Sequence, residues 1–209
     1  MGRSAAPARK AARPEAQLRV LRRRFFRRLL YAFCVSALGW LLLKGPYGAA
    51  VSWVAQGLTR MVSFSTAPVL EAQGNHVVIG RRDFRADSGW LQLSLLQVHA
   101  NIIPFFALGF ALASSRSSRF RVLKAFAWLA GAHVVSLVAE AQWFYASQLG
   151  AWSVANYSEF SRALWGVLRF FFNLAVPYAL PIVLVFWAVP EETATLLGLP
   201  QTTLRRTTS

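Results

Sequence analysis

The sequence predicts an all-α protein: a polytopic membrane helix bundle of four spans with a short extracytoplasmic β-hairpin. Three observations point there. Of 209 residues, 56% are hydrophobic and only 15% charged, whereas a soluble domain carries about 25% charged residues; this chain has too little polar surface to cover a water-facing core. Four strongly apolar stretches run without a charge. The basic residues gather outside those stretches: ten of the 23 Lys and Arg lie in the first 28 positions. The net charge of +15 is therefore a matter of topology and membrane lipid, and no nucleic-acid partner is expected.

Residues 1–28 form a basic cytoplasmic N-terminal segment. Its first part, rich in Ala and Pro, is expected to be disordered or loosely helical. Ala16 to Arg28 can lie as a basic helix on an anionic leaflet. The first span is 29–43, LLYAFCVSALGWLLL, which Lys44-Gly45-Pro46 is expected to end. Fifteen residues give about 22 Å of helix, so Phe25 and Phe26 extend the apolar stretch while Arg27, Arg28 and Lys44 snorkel outward. Two other readings compete for it. A basic n-region, a short h-region and Gly48-Ala49-Ala50 suit a cleaved signal peptide, and Arg22-Arg23-Arg24-Phe25-Phe26 suits twin-arginine export. A retained signal anchor is the reading adopted, because further spans follow.

The other spans fall near 91–113, 125–141 and 166–190. The second holds Gln92, Gln97, His99, Asn101 and Pro104 in its first half. The last contains Asn173, Pro177 and Pro181, and the two prolines can kink it. Arg116, Arg119, Arg121 and Lys124 lie between the second and third spans, and Gln142 to Phe160 contains no base. The positive-inside rule then places both termini, including the 191–209 tail, in the cytoplasm of a bacterial inner membrane.

Residues 44–90 make the extracytoplasmic segment. Val51, Val54, Leu58, Met61 and Val62 recur at helical spacing, the mark of an interfacial amphipathic helix. Val77 to Ile79 and the alternation from Trp90 to Leu95 form the hairpin that feeds the second span. Trp143, Phe144, Tyr145, Trp152, Tyr157 and Trp165 suit an aromatic belt at the outer interface.

Polar groups in hydrocarbon need reasons. His133 and Glu140 are seven residues apart, hence on one helical face, and Glu140 can orient the imidazole as a supporting carboxylate. With His99 and Asn101 opposite, a metal or proton-relay site can be drawn. Against that stands plain interhelical hydrogen bonding, worth about 0.6 kcal/mol per contact. No ligand cluster of HExxH type and no phosphate-cradling glycine loop occurs, so no metal and no cofactor are expected. Cys34 has no His or acid within ten residues and reads as a buried structural thiol.

The layout then resembles a known family. VVIGRRDF, the run LQLSLLQVHANIIPFFALGFALASSRSSRFRVLKAFAWLAGAHVVSLV and the closing LRFFFNLAVPYALPIVLVFWAVP are similar in topology and texture to the membrane core of exosortases and archaeosortases. Those are membrane transpeptidase-like enzymes that process proteins bearing a C-terminal sorting tail. The resemblance implies a nucleophilic cysteine at the outer start of the span after the hairpin, and Leu96 to Asn101 contains none. It implies an arginine in the next span, and His133 to Glu140 contains none; Arg162 can occupy the place of a third polar group. Without the nucleophile, the resemblance implies a non-catalytic component of an exosortase-type sorting or envelope system. Its expected partners are a sorting enzyme or its tail-bearing substrates, bound as a membrane helix, with His99, Asn101, His133, Glu140 and Arg162 as candidate binding residues. The alternatives are a divergent membrane hydrolase or transpeptidase using His99, His133 and Glu140, and a small transporter.

Overall fold

The computed structural model describes residues 8–62, 68–83 and 90–199. Helix α1 (Ala8–Val62) is one unbroken element of 55 residues, about 82 Å long at 1.5 Å per residue. It is far longer than the ~30 Å hydrocarbon core. This corrects three expectations. From Ala8 onward the basic segment is the first part of the spanning helix and not a separate surface helix. Lys44-Gly45-Pro46 does not end the helix. The segment after Ala49 continues the same helix as far as Val62.

Pro46 removes one backbone hydrogen bond, a loss of roughly 3 kcal/mol in a helix interior. Tertiary contacts on both sides of it outweigh that loss. Trp40 and Tyr47 bond to other helices, and Val51, Ser52, Ala55 and Thr59 are all buried. Of the expected apolar face only Val51 belongs to this buried one. Val54, Leu58, Met61 and Val62 are exposed, and small residues turn inward instead, because a sheet packs closely against them.

The sheet has order β1-β2-β3, all antiparallel, with strands β1 (Pro68–Gln73), β2 (His76–Arg81) and β3 (Leu91–Ser94). The expected hairpin is present as β2 and β3, with Val77 opposite Leu93 and Ile79 opposite Leu91. Strand β1 is additional; its first three residues, Pro68 to Leu70, belong to the apolar stretch expected as the interfacial helix. Gly74, at φ +60°, opens the two-residue turn from β1 to β2, a conformation that costs glycine little.

Helices α2 (Leu95–His99) and α3 (Ile102–Leu112) follow. Of the second expected span, 91–113, Leu91–Ser94 is strand, and the apolar helix runs Leu96–Leu112, shorter than the helices long enough to cross a membrane. Pro104 sits in the first turn of α3, where its missing N–H costs nothing. Helix α4 (Arg116–Ser147) contains the whole third span and starts at Ser115, whose hydroxyl accepts from the Ser118 N–H. After α5 (Ala151–Asn156), α6 (Glu159–Tyr178) and α7 (Leu180–Ala188) meet at a 52° bend. Pro177 and Pro181 produce that bend by removing donors on either side of Ala179. A last helix, α8 (Pro190–Leu197), turns back toward α1, where Gly198 approaches Leu18.

By length and composition α1 and α4 can cross a membrane, and α6 with α7 can do so as one bent span. The protein is a helical membrane protein with a small sheet at one end. Two hydrophobic clusters hold it together. One joins the sheet (Leu70, Val77, Ile79) to α1 and to Leu137, Phe144 and Tyr145 of α4. The other joins α3 to α4 and α7 through Phe105, Val122, Leu129 and Val185. A Cβ on Gly109 would lie 2.6 Å from Cγ1 of Val122, so α3 and α4 cross at a point that only glycine permits. Three of the six residues of the expected aromatic belt are core: Phe144, Tyr145 and Tyr157 are buried. Each is held inward by packing or a hydrogen bond, with the Tyr145 hydroxyl donating to the Gly80 carbonyl at 2.7 Å.

Candidate functional site

Asn101 occupies the N-cap position of α3, yet its side chain makes no cap bond. It serves the tertiary structure instead. Its amide nitrogen donates to the Val176 carbonyl at 3.0 Å, beside the α6–α7 bend. Its side-chain oxygen must then be the group facing His133 Nε2 at 2.8 Å, so His133 carries its proton on Nε2. His133 Nδ1 is left as an acceptor, and the Tyr47 hydroxyl donates to it at 2.8 Å. One neutral imidazole thus links α1, α3 and α4, and through Asn101 also α6.

His99 lies against the same group. Its ring centroid is 5.0 Å from Tyr47 and 6.4 Å from His133. An indole N–H can only donate, so the 3.1 Å contact from Trp40 Nε1 makes His99 Nδ1 an acceptor. The proton of neutral His99 is then on Nε2, a buried atom without a hydrogen-bond partner. Trp40 and Tyr47 are seven apart on α1 and share a face. Neither is among the residues that sequence reasoning singles out, although aromatic residues with polar tips inside an apolar run usually find a buried partner.

Glu140 does not orient His133. Its carboxylate turns to α6, where Arg169 Nε donates to Oε2 at 2.9 Å and the Asn173 amide donates to Oε1 at 2.6 Å. Arg169 and Asn173 are one helical turn apart and grip the two oxygens together. The guanidinium also lies 3.7 Å over the Trp143 ring. Such charge-assisted bonds are about twice as strong as neutral ones. From sequence Arg169 only precedes the charge-free stretch Phe170 to Pro190 of the last span, since nothing in spacing links it to an acid 29 positions earlier. Arg162, on the first turn of α6, is half-buried, and its Nε has no hydrogen-bond partner.

The five candidate residues therefore divide. His99, Asn101 and His133 are brought together in a sealed network, Glu140 belongs to a second polar group with Arg169 and Asn173, and Arg162 joins neither. Among the described residues no three His, Cys, Asp or Glu side chains gather as metal ligands would. Cys34 is exposed on α1, contrary to the buried thiol expected; it lines none of the three cavities seen along that helix among the described residues.

Three cavities surround these groups. A polar one of about 350 Å³ opens beside Glu140, Arg169 and Asn173, with Gln97 and Ser136 also in its wall. It shares Pro177 and Tyr178 in its wall with a second, apolar cleft of about 660 Å³. That cleft lies between α1 (Phe26, Leu30, Phe33), α3 (Pro104, Leu108) and the bend. A third groove, about 870 Å³, runs along the opposite side of α1 from Arg28 to Tyr47. At the far end from the sheet, Ser118 donates to Glu192 of α8, and Arg121 Nε donates to the Ala188 carbonyl at 2.8 Å. Those contacts close the bundle there.

No protein-family model matches the sequence, and no curated protein or solved structure matches it.

Proposed function

We propose that this chain is a non-catalytic integral membrane component of an exosortase-type protein-sorting or envelope system, and that it binds a partner membrane helix. In this reading α1, α2 with α3, α4, and α6 with α7 are the four spans. The sheet is extracytoplasmic, and both termini are cytoplasmic in a bacterial inner membrane. The placement in a sorting system rests on the layout of hairpin, basic loop and closing span.

One observation carries the binding role: the apolar cleft and the polar cavity are neighbours that share Pro177 and Tyr178 in their walls. Together they offer an apolar track within the spans that turns polar toward the sheet, at Glu140, Arg169 and Asn173. A single membrane helix followed by a polar outer segment has that same order of surfaces. The hydrogen-bonded state of the polar residues fits binding better than catalysis. Both nitrogens of His133 are engaged within the protein, whereas a general base needs a free lone pair at the substrate.

Photocrosslinking in the native host tests this. A benzophenone amino acid at Tyr178 should capture the apolar helix of a membrane protein. The same probe at Gln97 should capture the polar flank of that same protein. At Leu42, an exposed position of α1 that lines neither cavity, it should capture neither. Identification of a sorting enzyme or a tail-bearing substrate supports the full reading. Different proteins at the two cleft positions, or equal capture at Leu42, would sink the cleft assignment.

A further inference from the structure

The groove on the other side of α1 is chemically unlike the first cleft. Its walls are apolar along Val35, Leu43, Phe106, Phe110 and Leu123, and one end carries two arginines, Arg28 of α1 and Arg119 of α4. Ser114, which donates to Glu192 of α8 at 3.3 Å, closes that end. Both guanidinium groups belong to exposed residues, and none of the ion pairs among the described residues uses either of them. Positive charge left unpaired at the rim of an apolar channel favours a ligand that is anionic at one end and hydrocarbon for the rest. A volume of about 870 Å³ falls within the ~300–1,000 Å³ of ordinary ligand sites. Arg28 and Tyr47 stand 19 positions apart, about 28 Å along the helix, so the groove runs nearly the depth of the ~30 Å hydrocarbon core.

We propose that this groove is a specific site for an anionic phospholipid, with the phosphate between Arg28 and Arg119 and acyl chain laid along Val35, Phe106 and Phe110. The guanidinium forks match phosphate oxygens in pairs. Basic pockets between membrane helices recognise lipid headgroups in this way. Gly39 matters to the fit: it lines the groove, and no atom stands within 4 Å of where its Cβ would be, so a chain can lie against bare backbone. A partner helix is the weaker occupant here, because two unpaired arginines at the rim would need acidic residues at a matching depth in that helix. The site is separate from the cleft beside Pro177, and either can fail without the other.

Native mass spectrometry of the full-length protein in detergent tests the proposal, titrating phosphatidylglycerol against phosphatidylcholine of the same chains and against inorganic phosphate. The wild type should retain phosphatidylglycerol preferentially. Arg28→Gln with Arg119→Gln should weaken that retention about 30-fold, roughly fivefold for each charge at the headgroup. Gly39→Trp, which fills the groove and leaves both arginines, should weaken it too. The control Arg23→Gln with Arg116→Gln removes two exposed cations that do not line the groove and should change it little. Equal losses in the two double variants would mean diffuse surface charge and overturn the site. Competition by inorganic phosphate alone, or retention unaffected by Gly39→Trp, would show an anion contact without an acyl site and overturn it equally.

Discussion

His133 donates its Nε2 proton to the side-chain oxygen of Asn101 across 2.8 Å, and Asn101 in turn donates to the Val176 carbonyl at 3.0 Å. Asn101 is the hinge of this chain: it sets the tautomer of a histidine on α4 and occupies a carbonyl beside the α6–α7 bend. Its replacement orphans a buried donor and a buried acceptor at once. Asn101→Ala should destabilise the protein by about 1–3 kcal/mol, the range for buried groups left unsatisfied. Thermal unfolding in detergent would read it as a lower midpoint. A loss no larger than the ~0.6 kcal/mol of an average membrane hydrogen bond would mean that water or lipid replaces the network.

The pair of Glu140 and Arg169 should respond unequally to the loss of one partner and the loss of both. Arg169→Gln leaves a nearly buried carboxylate, 5% exposed, without its cation. Breaking a buried pair from one side can cost about 3–5 kcal/mol. Because Arg169 is 36% exposed, about 1–3 kcal/mol is the expectation after screening. The double variant Glu140→Gln with Arg169→Gln should then be more stable than Arg169→Gln alone. A double-variant cycle on unfolding midpoints measures this, and additive losses would remove the case for a coupled pair.

Gly109→Val should be among the most damaging single changes in the spans. Its side chain would meet Val122 where α3 and α4 touch, and overpacking of this kind costs about 1–3 kcal/mol. Val122→Ala should restore part of the stability of a milder Gly109→Ala variant. Failure of that rescue would place the strain elsewhere.

The continuity of α1 can be measured as a distance. With Cys34→Ser as background, spin labels at the exposed positions Leu38 and Met61 should lie about 35 Å apart along one helix of 1.5 Å rise. Electron–electron distance measurement would return a much shorter or broad distribution if Gly45-Pro46 broke the helix. Pro46→Ala should raise the unfolding midpoint, since it restores a backbone donor within a helix that already runs through that point.

The unequal legibility of these features has a physical origin. The β2–β3 pairing and the Pro177–Pro181 bend can be read because each depends on local residue chemistry. The end of the first span misleads because Gly45-Pro46 is a strong local signal, and the contacts that override it, Trp40 with His99 and Tyr47 with His133, are 59 and 86 positions away. The buried face of α1 beyond Ala49 has the expected period and, Val51 apart, different residues. A sheet that packs closely selects Ser52, Ala55 and Thr59 over Val54 and Leu58, and hydropathy alone ranks them the other way. His133 and Glu140 do share a face, as their spacing requires, but a shared face does not make a pair.

By itself the sequence determined that this is a helical membrane protein, because bilayer thickness and the scarcity of charge act on each segment separately. It also determined which polar side chains would have to find partners inside the spans, since each carries the same desolvation cost wherever it folds. Tertiary structure alone decided who those partners are. Hydrogen-bond pairing depends on distances between helices far apart in the chain. So His133 went to Asn101 and Tyr47, Glu140 went to Arg169 and Asn173, and Arg28 and Arg119 came to line one groove.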